Sequence, residues 1–194
     1  INLANFALKN NIEGFEFFSG IPGSIGGAVK MNAGCFGSET EGVIESIEIY
    51  SNSLQKKKIN KEELNLKYRS SNIKNNHIIT KAFFKIKYGN NSDIKNKMLD
   101  IKSKRLLSQP IKQRTSGSTF KNPKNLYAAK LIEEADCKGI NIGDAFVSDK
   151  HSNFLINNGN ATASDLEDLG KLVIERVYNK FNIKLDWEVK IIGD

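Results

Sequence analysis

Apolar residues recur along this chain in two periods, and the changes between them mark its elements. Leu3, Phe6, Ala7 and Leu8 keep the spacing of an amphipathic helix over residues 2–9, which Asn10-Asn11 breaks. Val43 to Tyr50 alternates as a strand with Ile47 and Ile49 on one face; Ser51-Asn52-Ser53 predicts a turn and Leu54 to Ile59 the returning strand. Ile78 to Lys87 predicts a further strand. Ile94, Met98 and Ile101 return to helical spacing, and that helix ends before Gln109-Pro110, because proline disfavours a helical residue ahead of it. Leu126 to Ala135 predicts a helix stopped by Gly139, and Ile140 to Ser148 and Phe154 to Asn157 predict short strands. Ser164-Asp165-Leu166-Glu167 predicts a capping box opening a helix whose core face is Leu166, Leu169, Leu172, Val173 and Val177. Asn182 closes it, and Trp187 to Ile192 predicts a final strand. This order argues an α+β chain of two subdomains. The boundary is expected near residue 90, where Asn90-Asn91-Ser92 reads as a linker and helix cap.

Composition narrows the class. The 194 residues are 39% hydrophobic and 26% charged, as in a soluble globular protein. No apolar run approaches the roughly 20 residues that span a bilayer, and residues 1–10 carry no signal-peptide pattern. Cys35 and Cys137 lie far apart, which points to a reduced, cytoplasmic setting. His77 and His151, without clustered thiols or carboxylates, do not make a metal site. The net charge of +7 comes from 29 basic and 22 acidic residues, scattered apart from Lys56-Lys57-Lys58. No aromatic residues interleave with that run, which argues against a nucleic-acid partner; the charge suits a phosphate-rich ligand.

Three polar stretches carry candidate chemistry. Residues 20–27 hold four glycines and a proline, which neither a regular strand nor a stable helix favours. Amides freed of side chains can form a concave anion site, and a helix starting near Ile25 would add its positive end; a tight structural turn fits the same residues. No Lys-Ser or Lys-Thr follows, as a Walker loop requires, and no strand–helix–strand unit with a later acid surrounds the stretch, as the dinucleotide fingerprint requires. Tyr68-Arg69-Ser70-Ser71-Asn72 holds the only arginine of residues 1–100. A guanidinium offers a carboxylate a fixed fork that an ammonium does not; a plain surface charge is the alternative. Thr115 to Pro123 sets four hydroxyls around Gly117, then Lys121 and Asn122. Ser118 can donate or accept a proton and Asn122 can do both with hydrogen bonds, while a surface turn has the same composition. His151 reads as a structural hydrogen-bonding histidine or as a base.

Whole motifs say more than single residues. Ser116-Gly117-Ser118-Thr119-Phe120-Lys121-Asn122-Pro123 leads into Ala129-Lys130-Leu131-Ile132-Glu133-Glu134-Ala135. Ala145, Val147-Ser148, His151, Asn153-Phe154 and Asn157 follow, and Glu188-Val189-Lys190-Ile191-Ile192-Gly193 ends the series. Upstream stand Gly20 to Ala28 and Tyr68-Arg69-Ser70. In this order, and running nearly end to end, the motifs resemble those of the UDP-N-acetylenolpyruvoylglucosamine reductases, flavoenzymes of cell-wall precursor synthesis.

The resemblance implies the second half of a two-subdomain FAD-binding domain over residues 1–90, then a smaller α+β substrate-binding domain over 91–194. The chain begins at Ile1, and the expectation is that it lacks the family's N-terminal flavin-binding subdomain. The implied reaction uses FAD and NADPH to reduce the enolpyruvyl double bond of a UDP-sugar, UDP-N-acetylglucosamine enolpyruvate, giving UDP-N-acetylmuramate. Ser118 would protonate the carbon beside the carboxylate, with Lys121 or Lys130 as candidates to assist it. Arg69 and Glu188 would hold that carboxylate, Glu188 as a hydrogen-bond donor and so with its proton on. Gly20, Ile21, Gly23, Ser24, Gly26 and Gly27 would lie against the flavin diphosphate, and Tyr68, Asn122 and Lys130 would contact substrate. The chain departs from the family at Gly143-Asp144-Ala145-Phe146, where Gly-Gly-Ala-Gln is frequent, so a substrate contact at Phe146 is not carried over. The rival expectation is a non-catalytic nucleotide-sugar-binding fragment.

Overall fold

The computed structural model describes residues 1–51 and 53–193; the centre of the expected Ser51-Asn52-Ser53 turn, Asn52, lies outside the described residues. By its internal contacts the chain divides into two compact units, Ile1–Arg105 and Leu106–Asp194. The division falls later than the boundary expected near residue 90. The reason is packing: the helix that begins there buries Ile94 and Ile101, and Ile101 and Met98 join the same core as Phe15, Phe17 and Phe18.

The first unit opens with α1 (Asn2–Lys9), which turns Ala4 and Ala7 inward and leaves Phe6 exposed. Strand β1 (Ile12–Glu13) and a 3-10 turn (Glu16–Gly20) follow, the turn sinking Phe17 and Phe18 into the core. Helix α2 (Ile25–Lys30) starts where the glycine-rich stretch ends. A small hairpin pairs β2 (Gly34–Cys35) with β3 (Ser38–Glu39). The main sheet is antiparallel, in the order β5-β4-β6, with β4 (Ile44–Tyr50) between β5 (Lys56–Asn60) and β6 (Ile78–Phe84). A bulge at Ile44/Ser46 shifts the register, which lets Ile44 share the buried cluster of Ile47 and Ile49 with Val29, Leu64 and Ile73. Helix α3 (Lys61–Leu64) follows β5. The single strand expected over residues 78–87 is two: after Phe84 the chain leaves the sheet, and β7 (Lys87–Tyr88) pairs with β1. The lysine run lies on β5, exposed, with Lys56 paired to Glu48 at 2.9 Å. Helix α4 (Asn91–Ser108) crosses the division between the units.

The second unit contains α5 (Ala128–Glu134), β8 (Asn141–Ile142), β9 (Ala145–Val147), β10 (Leu155–Asn157) and α6 (Ala163–Phe181). The three strands form an antiparallel sheet in the order β10-β9-β8. Leu169, Val173 and Val177 of α6 share one core with Phe120, Ile132 and Val147, and Leu166 packs against it, as the three-four spacing predicts; Leu172, expected on the same face, is half-buried and lies outside that core, where Ile174 packs instead. Three expectations need correction. Ile140 to Ser148 is not one strand but a hairpin, β8 pairing antiparallel with β9 and Ile142 standing opposite Ala145. The box that opens α6 is Thr162 with Asp165: Asp165 N–H donates to Thr162 Oγ1 at 3.0 Å and Thr162 N–H to Asp165 Oδ2 at 2.8 Å. Ser164 lies two residues past the cap, inside the helix. Residues 187–192 are not a strand: only Trp187 bridges, to Phe120. The amides of Glu188 and Val189 both turn to the carbonyl of Thr119, at 2.8 and 3.4 Å, and one acceptor shared by successive donors bends the chain off a ladder, whose strand faces alternate. Among the described residues no helix is long and apolar enough to cross a membrane.

Candidate functional site

The predicted site residues are divided between the two units. In the second, Ser118 bridges Phe154, and Thr119 N–H donates to Asn153 O at 2.8 Å. The buried Asn153 side chain grips Phe120 from both sides, accepting its N–H at 2.9 Å and donating to its carbonyl at 2.8 Å. A doubly bonded buried amide fixes backbone more firmly than a solvated turn can. Glu188 joins this frame directly, through the 2.8 Å bond from its amide to Thr119 O. The hydroxyl of Ser118 and the carboxyl of Glu188 thus belong to residues one peptide and one hydrogen bond apart, and both residues are half-buried. Gly117 takes φ 93°, a left-handed conformation that glycine adopts without a Cβ penalty. Thr119, buried, turns to Leu155 N–H and lines a largely apolar cavity of about 440 Å³ with Thr115, Asn157, Trp187 and Val189.

His151 backs the same frame. Its Nδ1 accepts Asn153 N–H at 3.3 Å, and its ring stands edge-on to Phe154 at 4.6 Å. Burial holds its imidazole below the ordinary value of 6.5, more than its own backbone hydrogen bond lifts it, and the nearby Lys138 charge lowers it further. These contacts fit the structural hydrogen-bonding histidine of the two alternatives.

In the first unit Arg69 tips a turn closed by paired bonds between Lys67 and Ser70, 3.1 and 3.0 Å. Its guanidinium lies 4.9 Å over the Tyr68 ring. The end of α2 tethers this turn: Ser71 Oγ donates to Lys30 O at 2.7 Å, and the buried Asn32 reaches Lys67 O and Glu39. The start of α2 is the glycine-rich loop, where Ser24 Oγ caps the helix by accepting Gly27 N–H at 3.1 Å. One short helix therefore spans from the loop to the arginine turn.

The loop's glycines divide by role. Gly23 takes φ 109° with open space beside it. Gly20 is buried, and a Cβ there would lie 2.9 Å from Ile101 and 3.1 Å from Cys35 Sγ. Ile21, Gly23 and Ser24 line a cavity of about 500 Å³ together with Ser19, Pro22 and Arg105. Gly26 packs near Ile79, and Gly27 spends its amide on the cap. Arg105 and Arg69 both act on Cys35: burial pushes its thiol up, and the two guanidinium charges pull it down. An anion entering the cavity would meet glycine backbone and an arginine, so the residues present fit a diphosphate.

The remaining candidates have other engagements. Asn122 Oδ1 accepts Ala128 N–H at 3.0 Å, at the start of α5. Lys130 is exposed and pairs with Glu134 one turn along at 3.7 Å. Lys121 ties its amide to Asp186 O at 2.8 Å. Phe146 lines a third cavity of about 490 Å³ with Gln109, Lys112 and Lys150. Arg105 and Asn32 escaped the sequence reading. The first sits in a helical run and the second in a loop, and neither position shows what it faces until the chain folds.

Compared with solved structures, the chain matches the crystal structure of UDP-N-acetylenolpyruvylglucosamine reductase from Thermus caldophilus, with a TM-score of 0.85 and 34% identity, over 96% of this chain and 67% of that one. The chain belongs to the UDP-N-acetylenolpyruvoylglucosamine reductase family. A family model for the C-terminal domain of these reductases matches residues 109–192, all within the second unit. Curated reductases from Rickettsia bellii, Rickettsia conorii and Clostridium tetani are 47%, 49% and 47% identical to it over 192, 195 and 193 residues. Each alignment covers 99% of this chain but 64%, 65% and 63% of the relative, so the chain spans just under two thirds of their length.

Proposed function

We propose that this chain carries the substrate domain and the second half of the flavin domain of an NADPH-dependent, FAD-mediated reductase. Its substrate is UDP-N-acetylglucosamine enolpyruvate, its product UDP-N-acetylmuramate, and its setting the cytoplasm. The reading rests on one observation beyond family membership: Glu188 hydrogen-bonds the residue next to Ser118, which links two of the three residues expected to act on one carboxylate. FAD, when bound, supplies hydride taken from NADPH. Ile21, Gly23, Ser24 and Arg105 would hold its diphosphate, with Gly20, Gly26 and Gly27 shaping the loop. Ser118 gives the proton to the carbon beside the substrate carboxylate. Arg69 and Glu188 bind that carboxylate as negative charge spreads onto it, and fixed donors aimed at developing charge lower the barrier. Tyr68, Asn122 and Lys130 orient the UDP-sugar.

Stopped-flow absorbance of the flavin tests this. Ser118→Ala keeps NADPH-driven flavin reduction and slows reoxidation by the enolpyruvyl substrate by about 10²–10⁴-fold, the share of a general acid. Both half-reactions intact would remove Ser118 from the role. The rival reading is a non-catalytic nucleotide-sugar-binding piece. It expects colourless protein that binds the UDP-sugar, where the reductase reading expects yellow protein.

A further inference from the structure

Glycine in a helix interior costs about 1 kcal/mol against alanine, yet Gly170 sits mid-way along α6, buried. The helical backbone there does not call for it. The contact does: a Cβ at Gly170 would lie 2.0 Å from Trp187 Cη2, and 2.8 and 2.9 Å from Cζ3 and Cζ2. The benzo edge of the indole rests on the bare helix backbone. The same ring packs against Phe120, centroids 4.9 Å apart at 43°, while the backbone of Trp187 bridges Phe120 and that of Asp186 accepts Lys121 N–H. The next residue is Glu188, bonded through its amide to Thr119 O. Past it, among the described residues, no helix or strand follows, and Ile191 and Ile192 are exposed.

We propose that Trp187, seated on Gly170, is a positioning residue that sets the carboxyl of Glu188 relative to the hydroxyl of Ser118. The proposal rests on the function argued above. Van der Waals contact between carbons lies near 3.5 Å, so a methyl at Gly170 drives the indole off by about 1.5 Å. The ring is wedged between α6 and Phe120, so the displacement passes to its own backbone and to the neighbouring Glu188. Misplacement of about 1 Å at a reacting group costs up to roughly 10²-fold in rate.

Trp187 is the chain's single tryptophan, so its emission reports the seat directly. Gly170→Ala is expected to shift that emission, to leave NADPH-driven reduction of the FAD-loaded protein unchanged, and to slow reoxidation by UDP-N-acetylglucosamine enolpyruvate about ten- to a hundredfold. Substrate affinity by titration calorimetry should change less than the rate. Trp187→Phe leaves room for the methyl, so the double variant Gly170→Ala/Trp187→Phe should be no slower than Trp187→Phe alone, a coupling that independent sites do not show. Shifted emission with wild-type reoxidation overturns the proposal, as do unshifted emission or losses that multiply in the double variant. If Gly170→Ala does not fold, Trp187→Leu empties the seat without crowding it: slowed reoxidation with normal flavin reduction supports the proposal, and a wild-type rate overturns it. A wild-type protein that neither binds nor turns over the UDP-sugar overturns the functional reading, and the proposal with it.

Discussion

Arg69 takes φ 53°, a left-handed backbone that costs a side-chain-bearing residue about 1–2 kcal/mol. The carboxylate-binding role proposed for Arg69 would give a reason for keeping that strain. Arg69→Gly removes the strain, so thermal unfolding should move little or upward, while reoxidation of the flavin by substrate is lost; a large fall in Tm would mark the arginine as structural instead. His151 makes a second prediction. Its folded-state pKa is lowered by burial, so the unfolded chain binds the proton more readily. Its contribution is complete above the ordinary value of 6.5 and is lost as pH falls from there through the lowered folded value. Tm measured against pH should decline across that window, and His151→Gln should flatten the decline. The composition of the Ser118 stretch, by contrast, did not separate a surface turn from a ligand loop. What the structure adds is the Asn153 grip on Phe120, which fixes the backbone of the stretch and joins residues too far apart in sequence for any local pattern to show.

At the scale of elements, hydrophobic period carried most of the reading. The core face of α6 and the central strand of the main sheet follow from spacing alone, because burial selects one face of a helix or strand. End points followed less well. Thr162, not Ser164, caps α6, and Thr162→Ala should lower stability by about 0.5–2 kcal/mol in chemical denaturation, as lost caps do. Ser164→Ala should do almost nothing. The terminal strand was misread because Val189, Ile191 and Ile192 look like a strand's apolar residues, whereas the shared acceptor at Thr119 bends the chain there.

For the molecule as a whole, each unit closes its own core, which is the condition for independent folding. A protein of residues 106–194 is expected to unfold cooperatively on heating by far-UV circular dichroism; a gradual, baseline-like melt would show that its core needs the rest of the chain. By themselves the residues determined the α+β class, most of the longer helices and strands and, through motifs, the family, since period and local chemistry act over a few neighbours. Only the folded chain decided that α4 packs with the first unit, that Arg105 lines the glycine-rich cavity, and that an indole on Gly170 sits beside Glu188. Such contacts depend on which side chains meet across long separations, and they arise when apolar surface is buried rather than from any single stretch.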